Sequence, residues 1–273
     1  IFGYCGCPEM GIAGAAIATV VGQMFSMVLG FILNQTKNPE LKLSFRRFRP
    51  KGETMKNILT VGFPSIIMQS ISSVMSLLFN LILMPFGNAA VSVLGVYFKL
   101  QSFVFMPVFG LSNGLVAIVG YNYGARLKKR VYESVKVALV YAIVIMAAGM
   151  ALFMAIPNVL MGLFDKTADG SICAIGAPAL RIISTHFILA AIGITLSTVF
   201  QAIGKGFYSL IMSLCRQLIV LIPVAWLLSR AGLETTWWSF PIAEVVSLTV
   251  CLLLYRKVDR EILSRLDEPA EFY

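Results

Sequence analysis

Seven long apolar segments run along the chain, and the gaps between them alternate between basic and nearly uncharged. A run of about 18 or more apolar residues is long enough to cross the hydrocarbon core of a membrane as a helix. The pattern therefore predicts an all-α integral membrane protein with seven transmembrane helices. The predicted segments are about Gly11–Leu33, Ile58–Phe86, Ala89–Gly120, Val137–Ile156, Ala177–Ile203, Phe207–Leu228 and Trp237–Leu254.

The composition supports membrane insertion and argues against a soluble fold. Apolar residues make up 58% of the chain and charged residues 13%, whereas soluble domains carry about 25% charged residues. The net charge of +9 comes from basic residues that lie between the apolar segments and not on one soluble face. This distribution indicates membrane lipids with anionic headgroups as partners, and no nucleic acid.

The distribution of Lys and Arg predicts the orientation, because short loops rich in these residues stay in the cytoplasm. Basic residues concentrate in Asn34–Lys56, in Gly124–Lys136, at Lys205 and in the C-terminal tail. If these gaps are cytoplasmic, the N-terminus of the chain lies outside and the C-terminus inside. We expect a multi-pass protein of the cell membrane in this orientation.

Charged side chains inside apolar segments are candidates for function, since a Lys or Arg at the membrane centre costs about 2.5 to 3.5 kcal/mol. Lys99, Arg181, Arg216 and Glu244 are such residues, and Glu244 is the only acid inside a predicted segment. Two roles remain open for Glu244: a structural carboxylate paired with Arg216 or Arg181, or ion coupling in transport. The two arginines could instead reach the membrane interfaces with their long side chains.

Neutral polar residues form a second set of candidates. Gln69, Ser73 and Asn80 are spaced four and seven residues apart, so they share one face of a helix. Such a stripe either lines an aqueous cavity or makes hydrogen bonds between helices. His186 in the fifth segment is a candidate proton relay, although its surrounding sequence offers no partner.

Two common signatures of catalysis and nucleotide binding, HExxH and the Walker lysine loop, do not occur in the sequence. We therefore expect no enzyme activity, no cofactor and no metal site. Disulfides among Cys5, Cys7 and Cys173 stay open, because the topology predicts these residues on the same side of the membrane. Since no signal sequence precedes the first segment, we expect the chain starting at Ile1 to be a fragment of a longer protein.

Five short motifs lie at the ends of the apolar segments. They are Gly62–Pro64, Val119–Ala125, Phe200–Lys205, Arg216 and Gln217 followed by Pro223, and Trp237–Glu244. In this order and spacing they resemble the multidrug and toxic compound extrusion (MATE) family of efflux transporters, and together they cover most of the chain.

The resemblance implies twelve helices in two six-helix lobes joined by a cytoplasmic linker. On that template the first segment corresponds to helix six and the other segments to helices seven to twelve. The N-terminal lobe of the same polypeptide is then a missing partner. The implied domains are residues 1–33 as the last helix of the N-terminal lobe, 34–56 as the basic linker, 57–258 as the six-helix C-terminal lobe and 259–273 as a cytoplasmic tail.

The resemblance also implies secondary active transport by alternating access, in which H⁺ or Na⁺ moves inward and a small organic compound moves outward. Some branches of the family carry a carboxylate on helix seven at the position of Ser72, so the coupling ion stays open. Glu244 and Arg216 are the candidates for ion coupling or structural charge. The candidate residues of the substrate cavity are Gln69, Ser72, Ser73, Asn80, Lys99, Gln101 and His186.

Two alternatives remain at this point. A lipid-linked oligosaccharide flippase of the same superfamily would have a more cationic cavity. A seven-helix receptor would share the number of spans and the external N-terminus. Against the receptor, the sequence has no Asp-Arg-Tyr after a third helix and no Asn-Pro-x-x-Tyr in a seventh.

Overall fold

A computed structural model describes residues 11–37, 51–165 and 170–266 of the chain. These residues are helical apart from short turns, and no strand occurs among them. The helices are α1 (Gly11–Lys37), α2 (Gly52–Leu83), α3 (Asn88–Gly124), α4 (Lys128–Ala155), α5 (Pro157–Gly162), α6 (Ser171–Ser184), α7 (Phe187–Ala202), α8 (Gly206–Leu214), α9 (Leu221–Ser229), α10 (Leu233–Thr236) and α11 (Ser239–Val258).

The chain divides into two compact units, residues 1–56 and 57–273. In the first unit, α1 contains a 22-residue stretch, Ala16–Lys37, that is long and apolar enough to span a membrane. The predicted linker Asn34–Lys56 is helical at both described ends, because α1 reaches Lys37 and α2 begins at Gly52. Residues 38–50 lie outside the described residues.

The described helices confirm the prediction of an all-α membrane protein. Six stretches are long and apolar enough to cross a membrane, with Gly206–Ser229 and Leu233–Leu263 each counted as one, and a seventh span results if α6 and α7 are counted as one. With 37 residues, α3 is the longest; at about 1.5 Å per residue it extends roughly 55 Å and retains Pro107 in its interior.

The fifth predicted segment differs from a single straight helix. The structure breaks it at Thr185 and His186, and α6 and α7 meet there at 52°. Pro178 lies inside α6, seven residues before this break. The sequence therefore located the span but not its bend.

The sixth predicted segment is also irregular. A π-helical stretch, Cys215–Val220, joins α8 to α9 and carries Arg216 and Gln217. π-helical turns are rare and occur frequently at functional sites, because the extra residue in the turn changes which side chains face a neighbour. We call this stretch the π segment.

The basic gap Gly124–Lys136 is shorter than the sequence indicated. α3 ends at Gly124 and α4 begins at Lys128, so most of the basic residues lie on the first turns of α4 and not in a loop. Tyr132 donates a hydrogen bond to Asp259, and the Lys128 ammonium donates to the Ser264 carbonyl at 2.8 Å. These bonds attach the start of α4 to the end of the chain.

The predicted tail, 259–273, is only partly described. Asp259–Leu263 extends α11 as a second π-helical turn, and residues 267–273 lie outside the described residues. Leu263 and Leu266 are buried in a hydrophobic cluster with residues of α3, α4 and α7. The first part of the tail is thus packed and not solvated.

The second unit is held together by two clusters of buried apolar side chains. The larger one contains Phe79, Tyr97, Phe187 and Trp237, each at most 1% exposed. Phe240 lies at its centre, with ring centroids 5.0 Å from Phe79 and 5.6 Å from Tyr97. This aromatic packing fixes α2 and α3 against α11, next to the cavity described below.

Candidate functional site

A cavity of about 440 Å³ opens in the second unit between α2, α3, α11 and the irregular parts of the other helices. This volume suits a small organic molecule. Its polar lining residues are Ser72, Ser76, Gln101, Ser102, His186, Arg216, Gln217 and Glu244, and its apolar ones are Met75, Phe98, Phe105, Met106, Phe109, Ile194, Leu221, Phe240 and Ala243.

Aromatic rings and methionines form the walls of the cavity. α3 contributes Phe98, Phe105, Met106 and Phe109, which share one helix face with Gln101 and Ser102 in the i, i+3, i+4, i+7 pattern. Aromatic faces attract planar and cationic groups, and methionine side chains adapt to different shapes. The walls therefore suit a range of organic ligands.

The break between α6 and α7 supplies His186 to the cavity. The imidazole is buried, stacks on Phe240 with centroids 6.2 Å apart and meets Phe187 edge-on at 5.2 Å. Its Nδ1 lies 2.5 Å from the Ile183 carbonyl oxygen, which assigns the proton of the neutral ring to Nδ1 and leaves Nε2 as an acceptor.

The π segment supplies two further polar side chains. Gln217 is buried, and its Oε1 accepts a hydrogen bond from the Ser72 hydroxyl at 3.0 Å. This bond connects α2 to the π segment across 145 residues of sequence. It fixes the Gln217 amide at the edge of the cavity.

Arg216 and Glu244 form an ion pair inside the cavity, with 3.7 Å between Nη1 and Oε1. The Glu244 side chain is 5% exposed and that of Arg216 is 26% exposed. On the other side of the carboxylate lies Gly193 of α7, where a Cβ atom would come 3.4 Å from Glu244 Oε1. The bare glycine backbone thus leaves room for the carboxylate between α7 and α11.

The cavity brings together some of the residues predicted from the sequence. Ser72, Gln101, His186, Arg216 and Glu244 line it. Of the two partners proposed for Glu244, the structure pairs it with Arg216.

Other predicted residues lie elsewhere. Gln69 and Ser73 are exposed, Asn80 is half-buried, and none of the three is part of the cavity lining. Lys99 is exposed and holds its ammonium 5.9 Å from the ring centroid of Phe164. Arg181, in the last turn of α6, is exposed and also lies outside the lining. A role of these residues in substrate binding stays a prediction.

Sequence reasoning missed several lining residues. Ser76 and Ser102 were hidden because single serines are common in membrane helices and make hydrogen bonds within their own helix, as Ser102 does to Phe98. Gln217 left a usable signal, since it is a polar residue next to Arg216 in an otherwise apolar stretch. Aromatic liners such as Phe240 resemble ordinary core residues in the sequence.

Residues Gly110–Gly114 match the pattern GxSxG, which surrounds the catalytic serine in many hydrolases, and they lie inside α3. In hydrolases that pattern needs a sharp turn between a strand and a helix to expose its serine. Here all five residues are helical, so the stretch lacks the geometry of a nucleophile. Among the described residues, no group of three His, Cys, Asp or Glu side chains could hold a metal ion.

Comparison with known proteins identifies a match over more than half of the chain. The sequence model of the family described as MatE matches residues 64–227. That range begins at Pro64 of α2 and ends at Leu227 of α9, so it includes most of the residues that line the cavity.

Relatives of known function are multidrug exporters. The chain is 30% identical over 262 residues to the multidrug export protein MepA of Staphylococcus saprophyticus, covering 95% of this chain and 56% of that protein. It is 29% identical over 263 residues to MepA of Staphylococcus aureus, with the same coverage. The chain therefore spans about half the length of the exporters it matches.

Solved structures show the same fold. A crystal structure of a MATE protein in the straight conformation superposes with a TM-score of 0.84 at 25% identity, over 96% of this chain and 58% of that one. A MOP superfamily transporter from Pyrococcus furiosus, described as having a binding pocket of reverse polarity, gives a TM-score of 0.86 at 25% identity, over 98% and 60% of the two chains.

Proposed function

The chain belongs to the MatE family of transporters, and from this premise we propose that it forms the cavity-bearing lobe of a drug efflux transporter. The observation that carries the proposal is the cavity of about 440 Å³, with aromatic walls and a carboxylate at its inner side. Such a site suits organic cations, because aromatic faces and a carboxylate both attract positive charge.

We further propose that transport is secondary and active, with H⁺ or Na⁺ moving inward as the drug moves outward. The absence of a Walker loop from this sequence supports an ion gradient as the energy source. Alternating access then requires a second lobe opposite this one, and we propose that the complete polypeptide supplies it. The cell membrane is the site of action, with the N-terminus of the chain outside and its C-terminus in the cytoplasm.

Family membership argues against the seven-helix receptor. The flippase alternative requires a cavity with excess positive charge to hold a lipid-linked pyrophosphate. Among the described residues that line the cavity, Arg216 is paired with Glu244, so their charges compensate. This balance favours export of drugs or organic metabolites over movement of a lipid-linked anion.

The proposal is tested in cells that lack their own multidrug exporters. Expression from the complete open reading frame that contains this chain should lower the steady-state fluorescence of intracellular ethidium relative to an empty vector. A protonophore or removal of Na⁺ should restore the fluorescence and identify the coupling ion. Unchanged accumulation over a panel of organic cations, together with faster movement of a lipid-linked precursor, would favour the flippase.

A further inference from the structure

The contact between Arg216 and Glu244 is long, and the Glu244 carboxylate gains little from it. The 3.7 Å between Arg216 Nη1 and Glu244 Oε1 exceeds the roughly 2.7 to 2.9 Å of a charge-assisted hydrogen bond. Glu244 Oε1 is fully buried and has no hydrogen-bond partner among the described residues. A buried carboxylate oxygen without a hydrogen-bond partner is stabilised when a donor or a cation binds to it.

Arg216 is the more exposed member of the pair. Its side chain is about five times as exposed as that of Glu244 and ends on a flexible stem, whereas the carboxylate is enclosed by α7 and α11. The adjacent Gln217 is fixed by its bond to Ser72, so the backbone of the π segment stays in place while the guanidinium moves. The open volume of the cavity borders Arg216 and gives it space to swing into.

We propose that Arg216 is a built-in competitor for Glu244. An organic cation that enters the cavity displaces the guanidinium and binds the carboxylate. A small cation that neutralises Glu244 instead releases the guanidinium into the cavity, where its positive charge expels the organic cation. This inference rests on the proposed function, because it assumes that the cavity receives organic cations.

Charge balance explains why the exchange would couple the two ions. With Glu244 charged, the pair is neutral, and one bound organic cation leaves the site with one excess positive charge. With Glu244 neutralised, Arg216 already supplies that excess charge, and an organic cation would add a second one in a cavity of low dielectric constant, where like charges repel strongly. The organic cation and the small cation therefore exclude each other.

The surroundings of Glu244 provide oxygen atoms for a small cation. Tyr97 Oη and Ser247 Oγ are buried and, like Glu244 Oε1, have no hydrogen-bond partner among the described residues. Ser247 lies three residues after Glu244 on the same face of α11. Tyr97 packs against Phe240, which lies one turn before Glu244 on α11, with ring centroids 5.6 Å apart. Oxygen ligands suit Na⁺, and a proton needs only the carboxylate.

Equilibrium binding of ethidium to the purified complete protein tests the competition. At fixed pH and low Na⁺, Arg216→Gln should bind ethidium at least about fivefold more tightly than the wild type, because the internal competitor is gone. Glu244→Gln should bind it at least about fivefold more weakly, because Arg216 is then unpaired. Lys129→Gln is the matched control: it removes an exposed cation outside the cavity and should leave binding unchanged.

A second series identifies the small cation. Lowering the pH at constant Na⁺, or raising Na⁺ at constant pH, should weaken ethidium binding to the wild type in one of the two arms. The same change in pH or Na⁺ should not alter ethidium binding by the Glu244→Gln variant. The other titratable or charged groups near the carboxylate are Arg216, Tyr97, His186 and Cys251. His186→Gln and Cys251→Ser should therefore retain the response.

The outcomes separate the inference from the proposed function. If the folded wild type binds no ethidium or other organic cation, the proposed function fails. If it binds ethidium and Arg216→Gln binds it equally well, the competition is overturned while export remains supported. If either single variant does not fold, the double variant Arg216→Gln/Glu244→Gln, which buries no unpaired charge, should bind ethidium without any response to pH or Na⁺. A retained response would overturn the inference.

Discussion

Gly149 shows how closely α3 and α4 pack at the scale of one residue. A Cβ atom at this position would come 2.2 Å from Cγ1 of Val104 and 3.0 Å from its Cγ2. Val104 is β-branched and has little rotamer freedom in a helix, so it cannot move aside easily. The missing methyl group therefore permits the contact between the two helices.

We predict that Gly149→Ala destabilises the protein by about 1 to 3 kcal/mol through overpacking. Thermal unfolding of the purified protein in detergent would show this as a lower midpoint. Gly95→Ala is the matched control in α3, since nothing lies within 4 Å of a Cβ atom there. Val104→Ala in the Gly149→Ala background should recover most of the loss. Equal midpoints for Gly149→Ala and Gly95→Ala would contradict this packing.

At the residue scale, the sequence located both members of the ion pair in the cavity. Glu244 and Arg216 stood out because a charge in an apolar segment is costly and needs a partner. The polar stripe of Gln69, Ser73 and Asn80 was regular, but it is rotated by about a quarter of a turn from the face of α2 that carries Ser72 and the cavity. Periodicity shows which residues share a helix face, but it does not show what that face packs against.

The π segment is the element that brings Arg216 and Gln217 to the cavity together. A π turn holds one more residue than an α turn, so a single deletion should convert it to regular α-helix and remove the widened turn that presents both side chains to the cavity. Ile219 is exposed and lies within the segment, so its removal takes no side chain from the core.

We predict that deleting Ile219 abolishes ethidium efflux while the protein still inserts into the membrane at normal levels. Ile219→Ala is the matched control: it removes the same side chain but preserves the register, and it should transport like the wild type. Efflux would be measured as the initial rate of fluorescence loss from preloaded cells. Wild-type efflux by the deletion variant would show that the widened turn of the π segment is not needed for transport.

At the element scale, apolar length predicted the spans, and their irregularities were not predictable. The break at Thr185 and His186 contains neither glycine nor proline, while Pro107 and Pro178 lie inside continuous helices. Tertiary packing decides these features: His186 packs between Phe187 and Phe240 at the bend. Hydropathy does not register such contacts, because every side chain in the stretch is compatible with a straight helix.

At the scale of the whole molecule, the positive charge gathers at one end of the described helices. The basic residues at the start of α4 and the end of α11 are joined there by the Lys128–Ser264 and Tyr132–Asp259 hydrogen bonds. This shared end is predicted to be cytoplasmic, since basic residues near the membrane are retained inside. The turns that hold Asn88 and Glu234 then lie outside.

Cysteine labelling tests the orientation. In a variant without the native cysteines, a membrane-impermeant maleimide should label Asn88→Cys and Glu234→Cys on intact cells. It should label Lys129→Cys and Arg260→Cys only after the cells are permeabilised. All four positions are exposed, so a difference in labelling reports the side of the membrane. The reverse pattern would contradict the predicted orientation.

The most direct test of the central claim, that this cavity serves ion-coupled drug export, uses inside-out membrane vesicles containing the complete protein. An imposed gradient of H⁺ or Na⁺, higher in the lumen, should drive ethidium into the lumen, and an ionophore should release it. Lys129→Gln should behave like the wild type, and Glu244→Gln should accumulate no ethidium. If neither gradient drives accumulation, or if Glu244→Gln transports at the wild-type rate, the account is contradicted.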